Sequence, residues 1–312
     1  MVKKLEIEAL SVEAESLEAL LRARTEQDDP IGVYQFKQRL EQVRQRIGEI
    51  AEAPALTAGV ALFFAGGPVT GSRGIRADFA GKAVESFQAM VAKKFAAFEV
   101  GELGRRGRIP LRASSDLILT DVVRGSVGLV LEEANDNVPI VETELKVVLD
   151  DVVCTIAAAA QEEAEPFEEI LEDIDSRFLR SMGEFFALLD DADATVRLVE
   201  GERDRQFDHT QIHRARERTD AAEINERDNE VLVGALYLLP AHRKFELVLD
   251  SGETVWGPVS AEFAGQHLEA LRNANDVVGH RWRVRVKVRV VTRPNRLPKT
   301  THKLLGLIER LD

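Results

Sequence analysis

A glycine-rich loop, FFAGGPVTGSRGIRADFAGKA, is the first stretch of the chain whose residue types could bind a ligand. It follows an apolar run and precedes an amphipathic pattern. Gly66 and Gly71 have the spacing of a P-loop, in which backbone N–H groups surround a phosphate and a lysine follows the second glycine. Ser72 stands in place of that lysine, and Arg73 stands in place of the hydroxyl that binds magnesium. We therefore expect this loop not to hydrolyse ATP or GTP.

The same loop could still bind an anion without hydrolysing it. Backbone N–H groups at a helix N-terminus, with two arginines nearby, favour a phosphate or a carboxylate. The alternative is a loop that only turns the chain, because glycine adopts backbone conformations that side chains forbid. In that case we expect the arginines to pair with carboxylates of the chain itself. The candidate anion-binding residues of this loop are Gly66, Gly67, Gly71, Ser72, Arg73 and Arg76.

A second basic loop, GELGRRGRIP, could add Arg105, Arg106 and Arg108 to the same anion-binding patch. These arginines could equally be solvated, or pair with residues 133–194, which contain 18 Asp and Glu against 3 Lys and Arg. An acidic surface nearby would repel a phosphate backbone. The sequence therefore favours pairing within or between protein chains over nucleic-acid binding.

A basic stripe near the C-terminus, RWRVRVKVRV, alternates strictly between cations and apolar residues. As a β-strand it would bury the apolar residues on one face and expose the cations on the other, where they could follow a nucleic-acid backbone. The strand KFELVLDSGE is expected to place Glu246 and Asp250 opposite and to neutralise the stripe. No aromatic residue lies among the cations on their own face, so nucleic-acid binding is the less favoured alternative. The stripe consists of Arg281, Arg283, Arg285, Lys287 and Arg289.

Catalytic patterns are weak. His209 and His213 are four residues apart, but the intervening glutamate of a metalloprotease helix and a third ligand are missing. Glu144 and Lys146 imitate the E-x-K of metal nucleases but lie in a helical pattern. Cys154 lies in an apolar stripe without a basic neighbour and is expected to be packed. We predict no catalytic residue, no cofactor and no metal ligand.

The elements that position these residues begin with a helical hairpin over residues 1–53. Its second arm has apolar residues at intervals of 3, 4, 3, 4 and 3, which is the spacing of a coiled coil. Asp28, Asp29 and Pro30 end one helix and begin the next. We predict an antiparallel coiled coil whose seam either closes on the chain itself or associates with a second copy. The seam residues are Val33, Phe36, Leu40, Val43, Ile47 and Ile50.

Three further segments follow, so the predicted fold class is α+β with several domains. Residues 54–135 have the pattern of a small α/β unit that contains both glycine and arginine loops. Residues 136–194 form an acidic helical segment. Residues 195–312 are rich in β-branched residues and contain one helical pattern, which favours a small barrel of the SH3-like or OB type.

Composition restricts the location and the class of protein. The 312 residues carry a net charge of −13, most of it in the acidic segment. A single cysteine suits a reducing cytoplasm, and the N-terminus lacks the apolar core of a signal peptide. The longest apolar run is too short to cross a bilayer, so we expect no membrane partner.

These observations favour a non-enzymatic interaction or scaffold subunit of a cytoplasmic complex, assembled through the hairpin and the acidic helices. The combination of hairpin, small α/β unit and barrel is common among bacterial accessory proteins, including those of defence systems. The partner would be a second copy or another protein. The alternative is a sensor or regulator that binds a nucleotide or nucleic acid through the two basic loops. A metal-dependent hydrolase or nuclease is the third and least favoured class.

Overall fold

The protein has a mixed α/β fold in a computed structural model that describes residues 2–101, 103–104, 106–123, 127–134, 139–239, 242–265, 278–293 and 296–311. The chain divides into two compact units, Met1–Thr219 and Asp220–Asp312. Within the described residues, no helix is both long and apolar enough to span a membrane.

The first unit is built on an antiparallel sheet of five strands in the order β4-β5-β1-β6-β7. The central strand, GVALFFAG, is apolar without alternation because both of its faces are covered. Phe64 packs edge-on against Phe79 of helix α3 at 5.4 Å, whereas Ala61 and Phe63 face the start of the chain at Val2. The strands are β1 (Gly59–Gly66), β4 (Leu117–Val123), β5 (Val127–Glu133), β6 (Ala194–Glu200) and β7 (Arg203–Phe207), and β2 (Val69–Thr70) pairs with β3 (Gly74–Ile75) in a separate hairpin.

Helices α3, α4 and α6 form the core of this unit together with the sheet. The predicted acidic segment is helical, but most residues of α4 are buried, because it carries only three carboxylates, at Glu144, Asp150 and Asp151, and is otherwise largely apolar. Phe87 of α3 contacts Phe185 of α6 with ring centres 6.2 Å apart. The helices are α3 (Ala77–Val100), α4 (Glu144–Ala160), α5 (Glu165–Ile170), α6 (Ser176–Asp191) and α7 (His209–Ala221), with a short 3-10 helix at Arg112–Ser115.

The first two helices, α1 (Lys3–Arg22) and α2 (Pro30–Glu52), pack against each other in opposite directions. Asp29 caps α2, since its carboxylate accepts a hydrogen bond of 2.9 Å from the Gly32 N–H. The predicted seam is used within the chain. Its buried members are Val33, Leu40, Val43 and Ile50, while Phe36 and Ile47 pack at the margin of a cluster that also contains Ala14 and Leu17.

Part of the segment assigned to a C-terminal β-domain belongs to the first unit instead. Strand β6 pairs with β1 from Gly66 opposite Ala194 to Val60 opposite Glu200, and β7 pairs with β6. The compact second unit therefore begins after Thr219 rather than at residue 195. The local pattern of β6 indicates a strand, but not which distant strand it pairs with.

The second unit is a curled sheet of five strands in the order β10-β9-β8-β11-β12, with antiparallel pairing throughout. The curl brings β12 back to the end of β10, where Val259 forms a parallel bridge with Leu304 and the Ser260 N–H donates to the Leu304 carbonyl at 2.8 Å. Phe263, in the helical turn after β10, contributes to the interior. The strands are β8 (Glu223–Leu239), β9 (Lys244–Leu249), β10 (Thr254–Pro258), β11 (Arg281–Arg293) and β12 (Arg296–Arg310).

Candidate functional site

The glycine-rich loop is shaped by close backbone packing. Gly66 has a φ of +87°, and a Cβ atom there would lie 2.3 Å from the carbonyl oxygen of Asp193. A Cβ atom on Gly67 would lie 2.4 Å from the carbonyl oxygen of Ala192. The Gly67 N–H donates to Asp193 at 2.8 Å, and Gly71, with a φ of +50°, lies in the turn between β2 and β3. The glycines are thus explained by the turn before β6 and by the small hairpin.

The two arginines of this loop differ in their surroundings. Arg76 precedes α3 and forms a double hydrogen bond with Asp78, at 3.3 Å from Nε to Oδ1 and 3.0 Å from Nη2 to Oδ2. This pair raises the pKa of Arg76 and lowers the pKa of Asp78. The partner is therefore a carboxylate in the first turn of α3 and not one from the acidic segment. Ser72 and Arg73 are exposed, and Arg73 has no ion pair with a described residue.

The second basic loop is contacted by a cation from helix α6. Arg177 donates to the carbonyl oxygens of Gly104 at 3.4 Å and Gly107 at 2.8 Å. Arg106 and Arg108 are exposed, and Arg105 lies outside the described residues. No hydrogen bond or ion pair among the described residues joins Arg106 or Arg108 to the first loop. The geometry thus does not assemble the two loops into one anion site.

The predicted basic stripe on β11 is interrupted by a bulge. The register with β8 shifts between Val286 and Val288, and this shift turns Lys287 into the protein, so the prediction that Lys287 is exposed is wrong. Lys287 Nζ lies 3.2 Å from an oxygen of the buried Glu226, and Arg289 Nη1 lies 3.4 Å from the other oxygen. Two members of the stripe are therefore internal ion-pair partners.

The remaining cations of the stripe lie at the surface, and two of them are paired. Arg281 pairs with Asp250 as expected, but β8 lies between β9 and β11, so the prediction that Glu246 lies opposite the stripe is wrong. Arg283 Nη1 lies 3.0 Å from Glu309 on β12. Arg285 is exposed and its guanidinium lies beside the backbone of Gly306. The stripe presents far less positive charge than its sequence indicates.

A cluster of four charges, two of them buried, joins α4 to the sheet and was not anticipated from the sequence. Lys146 Nζ lies 2.6 Å from Glu200 Oε1 and also pairs with Asp150. Arg203 Nη1 lies 2.9 Å from Glu200 Oε2 and 3.1 Å from Asp150 Oδ2. Two cations thus balance two carboxylates. Since Lys146 is a helical ion-pair partner, the resemblance of this segment to a nuclease motif has no support in the geometry.

The environment of this cluster shifts the pKa of all four of its members, and the hydrogen bonds from Arg203 to Asp150 and Glu200 raise the pKa of Arg203. Burial, together with the neighbouring Asp150, raises the pKa of Glu200. Burial also acts to raise the pKa of Asp150, but its hydrogen bonds outweigh that effect and the pKa is lowered. Burial alone would lower the pKa of Lys146. The hydrogen bonds and charges of Asp150 and Glu200 outweigh burial, so the pKa of Lys146 is raised. The charged pairs hold one another, so the cluster acts as a structural link.

Cys154 and the two histidines lie in ordinary surface environments. Cys154 is exposed, which corrects the prediction of a packed thiol, and Arg203 is close enough to interact with it electrostatically. His209 begins α7 and lies 3.2 Å from Asp193. His213 lies 3.2 Å from Asp190, so the two rings have different partners. The described residues contain no group of side chains arranged to hold a metal ion.

The chain matches no protein-family model, no curated protein and no solved structure. Its function therefore has to be inferred from its own surfaces. Two of these surfaces stand out in the structure, and neither was identified from the sequence.

The first surface is the edge strand β4. Among the strands that the structure describes, β4 pairs only with β5, and every residue between its two ends is exposed. Ile118, Leu119 and Val122 are 49%, 53% and 52% exposed. A register shift between Leu119 and Asp121 marks a bulge in its pairing with β5. The sequence indicates a strand here, but only the tertiary structure leaves it uncovered.

The second surface is the outer face of β8, β9 and β10, which we call the aromatic face. Tyr237 and Trp256 both lie opposite Glu246 in the register, so the three side chains share one row. Trp256 is 68% exposed and Tyr237 is 40% exposed. The neighbouring row consists of Leu239, Lys244 and Pro258. Trp256 is one of the residues that line a cavity of about 480 Å³ between β10 and residues 299–302 of β12.

Proposed function

We propose that the protein is a non-enzymatic interaction subunit that binds a protein partner, a second copy or another chain, along the edge strand β4. The observation that carries this proposal is the exposure of three large apolar side chains on a strand with one free edge. An open edge presents unpaired backbone N–H and carbonyl groups, and natural proteins usually protect such edges. A partner strand would satisfy those groups and bury the apolar side chains.

The charge distribution supports a protein partner over an anionic ligand in the first unit. Arg76 is paired with Asp78, and Arg177 contacts the carbonyl groups of the second loop. Counter-charge for the acidic helices comes from within the first unit, from Arg216 of α7 to Asp190 and Asp191 and from Lys94 of α3 to Asp151. The glycine loop therefore offers Arg73 as its one cation without a described partner.

Two finer features of the architecture belong to the same proposal. We infer that α1 and α2 form an antiparallel coiled coil, supported by inter-helix pairs at 2.7 Å for Arg39 with Glu13 and 2.7 Å for Arg44 with Glu18. We also infer an OB-type barrel for the second unit, supported by its strand order and by the parallel bridge that follows β10. A cytoplasmic location agrees with the single cysteine.

The experiment compares the mass of the wild type in solution with that of an edge-blocked variant. We expect the wild type to form a dimer or larger assembly, and Leu119→Lys with Val122→Lys to reduce it to a monomer, because lysines on an edge oppose strand addition. Light scattering after gel filtration measures the mass over a range of protein concentrations. The matched control is Val12→Lys on α1, which is 63% exposed and should leave the mass unchanged.

The same measurement can contradict the proposal. A wild type that is monomeric at every concentration excludes self-association and leaves only a different partner chain. In that case a hydrogen-exchange experiment on the wild type in its native complex should show protection of β4. Exchange at β4 that does not change in the complex would show that the strand is not the interface.

A further inference from the structure

We propose that the aromatic face of the second unit binds single-stranded nucleic acid, with a base stacked on Trp256. This inference is independent of the edge strand and concerns a different unit. Trp256 lies on the middle of β10 with most of its surface exposed, and Tyr237 lies in the same row on β8. Exposed aromatic rings on a barrel strand offer stacking platforms to unpaired bases of any sequence.

The charges around the aromatic face favour a nucleic acid whose bases, and not its phosphates, lie against the sheet. His242, Arg243 and Lys244 are consecutive and exposed at one end of the face, where they can hold phosphates. Glu246, between the two aromatic residues, would repel a phosphate but accepts hydrogen bonds from the amino groups of bases or from a ribose hydroxyl. The backbone of the nucleic acid is therefore expected at the rim and the bases over the centre.

The cavity beside Trp256 gives the stacked base polar partners. Its lining includes Trp256 and, from β12, Thr300, Thr301 and His302, together with the interior residues Val255 and Val288. Burial lowers the pKa of His302, so at neutral pH its ring is uncharged and can donate one hydrogen bond and accept another. A pocket of about 480 Å³ lies within the usual range for small-ligand sites.

The net charge of the chain does not oppose this binding. Residues 220–312 contain 14 Lys and Arg against 13 Asp and Glu, so the negative charge of the protein belongs to the first unit. A protein partner is the less favoured occupant of this face, because β10, the terminal strand of the sheet, is already joined to β12 at its end by the bridge from Val259 to Leu304. A duplex is also disfavoured, since its bases are already stacked.

The experiment uses the full chain and a fluorescein-labelled oligothymidine of about 12 nucleotides, a length that an OB-type barrel can cover. We expect a saturable rise in anisotropy at about 50 mM salt that weakens roughly tenfold at about 200 mM, because only a few phosphates are neutralised. Trp256→Ala should weaken binding tenfold or more. Lys244→Ala should weaken binding less than Trp256→Ala does, and it should reduce the dependence of the affinity on salt concentration.

Ile308→Ala is the matched control, because Ile308 is an exposed apolar residue on β12 outside the aromatic face. It should bind the oligonucleotide as the wild type does, and a duplex of the same length should bind more weakly than the single strand. A ribose version of the oligonucleotide tests the role of Glu246, since a contact with the 2′-hydroxyl would make it bind more tightly. Quenching of wild-type tryptophan fluorescence by unlabelled oligonucleotide needs no variant, should Trp256→Ala fail to fold.

Three results would overturn the inference. They are the absence of any anisotropy rise at low salt, equal binding by the wild type and a folded Trp256→Ala variant, and a change in assembly mass on Trp256→Ala with oligonucleotide binding unchanged. The last result would assign the face to a protein partner. None of these outcomes bears on β4, so the two proposals can fail separately.

Discussion

At the scale of single residues, the structure distinguishes paired charges from available ones. Most of the cations that the sequence offered to an anion have carboxylate partners, as Arg76 has Asp78 and Lys287 has Glu226. Asp204 accepts hydrogen bonds from Arg197 at 2.8 and 2.7 Å and pairs with Lys4 at 2.9 Å. It joins α1 to the sheet, because Lys4 belongs to that helix.

We predict that Asp204 contributes to stability above about pH 4 and that this contribution is lost toward pH 2. The hydrogen bonds from Arg197 lower the pKa of Asp204 from 3.8 to about 2. A lowered pKa in the folded state means that the unfolded state binds the proton first, so stability falls as the pH falls. At neutral pH the free energy of unfolding of the Asp204→Asn variant should be about 1 kcal/mol lower than that of the wild type. Solvent screening of the ion pair keeps this difference small.

Urea unfolding of the wild type and of Asp204→Asn at a series of pH values measures this difference. The difference in the free energy of unfolding between the wild type and Asp204→Asn should decrease as the pH falls below about 4. Asp78→Asn, at a fully exposed pair, is the control and should have a smaller effect at every pH. A difference in the free energy of unfolding that stays constant with pH would show that the carboxylate acts through packing and not through its charge.

At the scale of elements, α1 and α2 show how a predicted seam can be used within one chain. Leu40 and Val43 are buried against Ala14 and Leu17, and only the margins of the seam retain exposure. The seam is therefore a poor candidate for assembly, whereas β4 keeps its edge and its apolar side chains exposed. We therefore expect the interface with a partner at strand β4 and not at helices α1 and α2.

We predict that Leu40→Asp lowers stability and leaves the assembly mass of the folded protein unchanged. A buried leucine replaced by a charge loses its packing and buries an unpaired carboxylate, which costs several kcal/mol. Thermal unfolding followed by circular dichroism measures the stability, and light scattering measures the mass. Glu41→Gln, at the exposed neighbouring position, is the control. Dissociation of a fully folded Leu40→Asp variant would show that the seam joins two chains.

At the scale of the whole molecule, the chain consists of two compact units with different charge. The unit Met1–Thr219 contains the acidic helices, and the unit Asp220–Asp312 is close to neutral. Each unit has its own apolar interior, centred on β1 with α3 in the first and inside the curled sheet in the second. Each proposed binding surface lies wholly within one unit.

We predict that residues 1–221 and 222–312, expressed separately with α7 intact in the first, both fold. Each unit is compact through contacts among its own residues, which is the property of an independent domain. Circular dichroism should show a cooperative thermal transition for each fragment. The oligonucleotide should bind the 222–312 fragment as it binds the full chain. A fragment 222–312 without a cooperative transition would show that the curled sheet needs the first unit.

The sequence by itself determined the local elements of this protein. Apolar periodicity and capping residues located α2, α3 and the helices of the acidic segment, and alternation located β9 and β11. These patterns arise from contacts between residues close in the chain, so they can be read without the fold. The same holds for the failed P-loop, which is excluded by Ser72 and Arg73 alone.

Only the tertiary structure decided which residues are available for function. The pairing of β6 with β1, the bulge that buries Lys287 and the edge position of β4 all depend on strands that are distant in sequence. The shared row of Tyr237 and Trp256 also depends on such strands. The same is true of the ion pairs that most of the predicted cations form. Burial and charge pairing are properties of spatial neighbours, and one sequence without its fold does not specify those neighbours.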